Sequence, residues 1–234
     1  LGGKLGFKGS DGRAEEARAA GAQDRAGPRM EQCLNKFIEL LASSLNRAKI
    51  TPEIVTWSGR MGGTWLGEND FTSIGNSPES TTAGDTAKLI KELLDNNVDI
   101  IVYAGGDGTT RDIVNALDGN ETPIVGVPGG VKMHSGCFAT TPNAAAEVLL
   151  SFLQGDLLSS ITEVMDLDEE IYLKGEWKVR MYGEAWTPAS PRFMQGSKQQ
   201  VERASEGDII EGLANHISDL IDKDDQLMLI LGSG

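Results

Sequence analysis

A buried strand that empties into a glycine-rich turn carrying one carboxylate, Val98-Asp99-Ile100-Ile101-Val102-Tyr103-Ala104-Gly105-Gly106-Asp107-Gly108-Thr109-Thr110-Arg111-Asp112-Ile113, constrains this chain more than any other stretch. Ile100 to Ala104 is apolar and rich in β-branched residues, the mark of a parallel strand covered on both faces, and Asp112 to Leu117 reads as the following helix. Ligands of open parallel sheets sit at that strand end. Gly105, Gly106 and Gly108 permit φ > 0 and let a polyphosphate approach the backbone N–H groups, while Thr109 and Thr110 can cap a helix whose positive end faces the anion. A carboxylate beside phosphates is unfavourable unless it reaches a metal or its water shell, or accepts a proton from an attacking hydroxyl. Asp107 is therefore expected as a catalytic group, either as the proton acceptor or as the group that reaches a metal or its water shell. Both duties belong to phosphoryl transfer. Arg111 stands where the dinucleotide pattern wants a third glycine, and no Gly-Lys-Ser/Thr exists for a Walker-type loop. The alternative for an isolated Gly-Gly-Asp-Gly is a plain strand-to-helix turn.

Pro128-Gly129-Gly130-Val131-Lys132-Met133-His134-Ser135 leaves the next strand in the same manner. Two such turns from successive strands can enclose one triphosphate. Gly129 and Gly130 would extend the cradle, Lys132 would neutralise phosphate charge, and Ser135 would donate a hydrogen bond. Alone, Lys132 would read as a solvated loop lysine.

The chain carries 21 Lys and Arg against 35 Asp and Glu, a formal net charge of −14. That balance argues against nucleic acid and anionic membrane surfaces as partners, and leaves a small anionic substrate in a locally basic pocket. Cys33 and Cys137 lie far apart without metal-ligand spacing, so neither a disulfide framework nor a zinc site is expected and a reducing cytoplasm is the default. No apolar run reaches the roughly 18 to 20 residues that span a bilayer. His134 and His216 are the only histidines, which makes His-based triads and His-rich metal sites poor prospects.

Met30 to Lys49 carries apolar residues at helical spacing, and Pro52 to Trp57 reads as a strand. Ser58 to Ser80 reads as a long loop and about Ala83 to Asn96 as a helix, with Thr81 and Thr82 able to cap it or, for Thr81, to touch a ligand. Pro123 to Val127 is the next strand and Asn143 to Leu153 the next helix. The alternation predicts a parallel α/β sheet. Ile161 to Leu173 and Trp177 to Trp186, either side of Lys174-Gly175-Glu176, signal a hairpin, and a helix is expected from about Gln199 to Ile221. The expected division is a nucleotide-binding α/β domain over 1–158 and the start of a second, β-rich domain over 159–234. Glycine turns at Leu1 to Gly6 and at Gly232 predict a chain cut at both ends. Asp166, Asp168 and Glu170 share a strand face by period two, as a cation site or as a solvated or interdomain face. Lys4 and Lys8 either steer phosphate or are solvated, and the four tryptophans are read as packing residues.

Gly105 to Thr109 is the Gly-Gly-Asp-Gly-Thr mark shared by NAD kinases, diacylglycerol kinases and 6-phosphofructokinases. Together with Leu1 to Gly12, Thr81 to Thr86, Ala104 to Ile113, Gly126 to Pro142 and Glu163 to Asp168, the chain resembles the predicted ATP-NAD kinase family, related to an acetoin-catabolism protein. The resemblance implies a Rossmann-like nucleotide-binding domain joined to a second domain, with substrate and ATP meeting between them. It implies an ATP-dependent kinase, with polyphosphate as the other donor, and NAD as the acceptor giving NADP. The aspartate matching Asp107 is held in that family to activate the ribose 2′-hydroxyl or to organise Mg²⁺. Oligomers are common in the superfamily, so a homo-oligomer is expected. Val131 to Ser135 departs from the Asn-x-Gly-x-Leu-Gly-Phe segment of classical NAD kinases, and no Asn-Glu adenosine clamp is found. A lipid or other small-alcohol kinase of the superfamily and a non-catalytic nucleotide-binding protein are the alternatives.

Overall fold

Residues 25–129, 133–167, 179–190 and 193–194 are described by the computed structural model. Helix α1 spans Ala26–Ala42, where Cys33, Phe37 and Leu40 recur at i, i+4 and i+7 and are buried. Strand β1 (Val55–Ser58) follows, then a 3₁₀ turn (Gly63–Leu66), strand β2 (Thr72–Asn76) and helix α2 (Ala83–Asp95). The expected loop from 58 to 80 thus holds a strand, paired in parallel with β1. Thr82, not Thr81, is the N-cap of α2, and both its N–H and its hydroxyl donate to the Asp85 carboxylate at 2.8 and 2.7 Å. Those two donors hold the Asp85 carboxyl below its ordinary value.

Strand β3 (Ile101–Gly105), helix α3 (Asp107–Leu117) and strand β4 (Ile124–Pro128) form a βαβ unit with β3 and β4 in parallel, Ile101 opposite Ile124 and Gly105 opposite Pro128. Side chains of β3 and β4 alternate between two cores. Ile101, Tyr103 and Ile124 join Leu89, Ile90 and Leu93 of α2 and Ile113 of α3. Val125 and Val127 join Cys33, Phe37 and Leu40 of α1 and the alanines and Leu149 of α4 (Pro142–Leu153). Helices therefore cover both faces of the pair, which is why β4 is buried along its whole length. Each fully buried Val or Phe contributes about 1.5–3 kcal/mol of transfer free energy to that arrangement.

Among the described residues the strands form three two-stranded ladders rather than one continuous sheet. Trp57 of β1 reaches the first core through its side chain. The fold is thus α/β with parallel pairs. The expected hairpin is present as antiparallel β5 (Ser159–Leu167) and β6 (Val179–Pro188), tied to β4 where the Thr187 hydroxyl donates to the Ile124 carbonyl at 2.8 Å. The hairpin turn, Lys4, Lys8 and the helix expected at 199–221 lie outside the described residues. None of the described helices is long and apolar enough to cross a membrane.

Candidate active site

The carboxyl ends of β3 and β4 lie side by side, because the Gly129 N–H donates to the Gly105 carbonyl at 2.9 Å. A Cβ on Gly129 would stand 2.8 Å from that carbonyl oxygen, and one on Gly105 would stand 2.7 Å from the Thr109 side chain. Close approach is what these two glycines supply. The expectation of positive φ fails, since Gly105, Gly106, Gly108 and Gly129 are all outside the left-handed region. Gly106 is extended and open space surrounds the position of its missing Cβ.

Helix α3 starts five residues earlier than its apolar spacing suggests, with Gly106 as N-cap and Asp107 as first helical residue. Thr109 and Thr110 accordingly sit within the first turn and do not cap it. Thr110 N–H bonds the Gly106 carbonyl at 3.0 Å, so the preceding amides of Asp107, Gly108 and Thr109 are those that helix geometry leaves for outside acceptors. With the dipole, that end favours an anion.

Beneath this turn runs a buried polar chain. The Thr110 hydroxyl faces the Gly106 carbonyl at 3.1 Å and Tyr103 Oη at 2.6 Å, and Tyr103 Oη faces Cys137 Sγ at 3.2 Å. One proton per group fixes the direction: Cys137 donates to Tyr103, Tyr103 to Thr110, and Thr110 to the Gly106 carbonyl. Burial pushes the Cys137 thiol up to about 12 and the Tyr103 phenol well above its ordinary value, so each keeps the proton the chain requires.

Asp107 is buried, and both oxygens of its carboxylate are engaged. Oδ1 accepts the Ser135 N–H at 2.9 Å and lies 2.7 Å from Ser135 Oγ; Oδ2 accepts the His134 N–H at 2.8 Å and lies 3.1 Å from His134 Nδ1. Ser135, expected to face phosphate, is fully buried and faces Asp107 instead. Its Oγ also accepts the Met165 N–H at 3.0 Å and lies 3.0 Å from the Met165 carbonyl oxygen, so β5 braces it.

Two participants escape sequence reasoning. His134 stands 27 residues from Asp107, and no local signal joins them. Arg29 of α1 donates from Nη1 to the Pro128 carbonyl at 2.7 Å, which brings a guanidinium to the end of β4, one residue before Gly129. The expected cation there, Lys132, and its neighbour Gly130 lie outside the described residues. Thr81 is exposed ahead of α2. Asp166 is not a solvated strand residue: it is buried and pairs with Arg111 Nη1 at 3.0 Å, while Asp168 and Glu170 lie outside the described residues. Trp57 is a packing residue, buried and hydrogen-bonded to Glu92, and Cys33 and Cys137 are free thiols.

Fold and site together define an α/β protein in which two glycine turns meet over a helix N-terminus and a clamped carboxylate. The family model of the ATP-NAD kinase N-terminal domain matches residues 32–157, more than half of the chain, and the match takes in both turns, Asp107, His134 and Ser135. The chain belongs to that family of kinases. No curated protein and no solved structure matches it.

Proposed function

We propose that the protein is an ATP-dependent kinase that transfers a phosphoryl group to a hydroxyl of a small molecule, with NAD as acceptor and NADP as product. The observation that carries this reading is the meeting of Gly105 and Gly129 beside the first turn of α3, with Asp107 at its first position, inside a matched ATP-NAD kinase domain. Polyphosphate needs closely approachable backbone, the positive end of a helix and a cation. Arg29 supplies the cation at the β4 end, and Lys132, Gly130 and Thr81 complete the cradle in this reading. Gly106, Gly108, Thr109 and Thr110 contribute through the backbone and its support.

Mg²⁺ takes oxygen ligands, keeps several waters and is shared between one or two carboxylates and substrate phosphates. Among the described residues no group of three or more His, Cys, Asp or Glu could hold a metal ion, so the ion fits here as one that enters with the nucleotide. Asp107 would meet the ion through a water that takes the place of one of its present hydrogen bonds; the bound ion would neutralise charge on the phosphate oxygens. Acceptor binding between domain 1–158 and a second domain 159–234, a cytoplasmic setting and a homo-oligomer belong to the same reading.

The test is to incubate the full-length protein with Mg²⁺-ATP, or with polyphosphate, and NAD, and to assay NADP. NADP formation supports the reading and identifies the donor. ATP binding without NADP, but with phosphorylation of another alcohol, would move the acceptor to a different small molecule.

A further inference from the structure

A carboxylate offers about four lone-pair positions, and four donors surround that of Asp107: two backbone N–H groups, the Ser135 hydroxyl and the His134 ring. To serve an acceptor hydroxyl, one of the four contacts must give way. Three of them cannot do so cheaply. The two N–H contacts move only with the backbone of 134–135, and Ser135 Oγ is fully buried and held from the other side by Met165 of β5. The His134 ring is the exception. It makes the longest contact, 3.1 Å, and sits on rotatable side-chain bonds rather than on the backbone, with its side chain 12% exposed against 6% for Asp107.

We propose that Ser135 and His134 are positioning residues for Asp107: Ser135 fixes Oδ1 against β5, and the His134 ring holds Oδ2 until an acceptor hydroxyl takes its place. The inference rests on the kinase reading for its chemistry, but the clamp itself is a property of the resting protein. Strand β5 lies beyond the stretch matched by the family model, so the clamp also makes the aim of Asp107 depend on the β5–β6 hairpin.

The sequence offers a direct readout, because only His134 and His216 carry imidazole rings. In protein labelled with ¹⁵N-histidine, the ring signals that disappear in His134→Asn belong to His134. Those signals should shift in Asp107→Ala and in Ser135→Ala. In turnover, Ser135→Ala should lower kcat about tenfold or more while the ATP Kd stays within about twofold, the signature of lost aim rather than lost binding. His134→Ala should lower kcat and His134→Asn, which keeps a donor near the Nδ1 position, should restore most of it. Because Ser135 is buried, the His134 pair tests the clamp without asking the core to repack. His134 signals indifferent to Asp107→Ala, or kcat unchanged in both Ser135→Ala and His134→Ala, would overturn the proposal. If the wild type makes no NADP, the acceptor reading fails and the ring signals alone decide the clamp.

Discussion

The Gly129 N–H donates to the Gly105 carbonyl, placing the two glycine turns one backbone hydrogen bond apart at 2.9 Å. A methyl group on Gly129 would meet the Gly105 carbonyl oxygen at 2.8 Å and its carbonyl carbon at 3.1 Å, and backbone cannot step aside as a side-chain tip can. Gly129→Ala is therefore expected to cost about 1–3 kcal/mol of stability and to weaken ATP binding about tenfold or more. Calorimetric titration with ATP and a urea melt check both; an unchanged Kd would separate the strand ends from the phosphate site.

Arg29 places one N–H on the Pro128 carbonyl, and a guanidinium carries five. Arg29→Ala should raise the ATP Kd about tenfold or more, since a hydrogen bond to a charged group is worth about 1.5–3 kcal/mol. Arg29→Lys, a point charge without the fork, should recover part of that affinity. Equal ATP affinity in all three proteins would confine Arg29 to tying α1 to β4.

Tyr103→Phe interrupts the chain from Cys137 to Gly106 and leaves the Cys137 thiol without its acceptor and Thr110 without its donor. A loss of about 1–3 kcal/mol is expected in chemical denaturation. A larger hydrophobic test lies beside it. Phe138 is fully buried and packs edge-on against Tyr103 at 5.8 Å, so Phe138→Ala should cost about 3–5 kcal/mol.

Burial pushes the thiols of Cys33 and Cys137 from the usual 9.0 to about 12. An unfolded chain releases these protons near pH 9 and the folded one only near 12, so the folded state binds more protons between the two. Stability is thus complete below pH 9 and falls as the pH climbs toward 12. Urea midpoints at about pH 8 and about pH 10.5 should show the drop, and replacing Cys33 and Cys137 by Ala should flatten it.

The strand, turn and helix around Asp107 were legible because apolar runs and clustered glycines are local signals. The start of α3 was not, since Gly-Gly-Asp-Gly reads as a turn and glycine is a poor helix former; the helix begins at Asp107 because tertiary context outweighs that propensity. Strand β2, Thr72-Ser73-Ile74-Gly75-Asn76, holds a single large apolar residue, and only its pairing with β1 makes it a strand. The period-two face containing Asp166 favours a solvated or interdomain face over a cation site, and its partner Arg111 leaves no local signal because it is 55 residues away. Separation in sequence also hid His134, 27 residues from Asp107, and Arg29, 99 residues from Pro128. A serine beside glycines looks the same in sequence whether it faces phosphate or a buried carboxylate, and the hydroxyl of Ser135 lies against Asp107.

Asp107→Asn tests the central claim most directly, comparing turnover of Mg²⁺-ATP and NAD with ATP affinity in the same preparation. The amide keeps the volume and one acceptor oxygen but turns the other oxygen into a donor facing donors. The account predicts NADP formation reduced about 10²-fold or more with ATP affinity little changed, as expected where a proton-handling group is lost and the phosphate cradle survives. NADP formed at the wild-type rate by Asp107→Asn would contradict it.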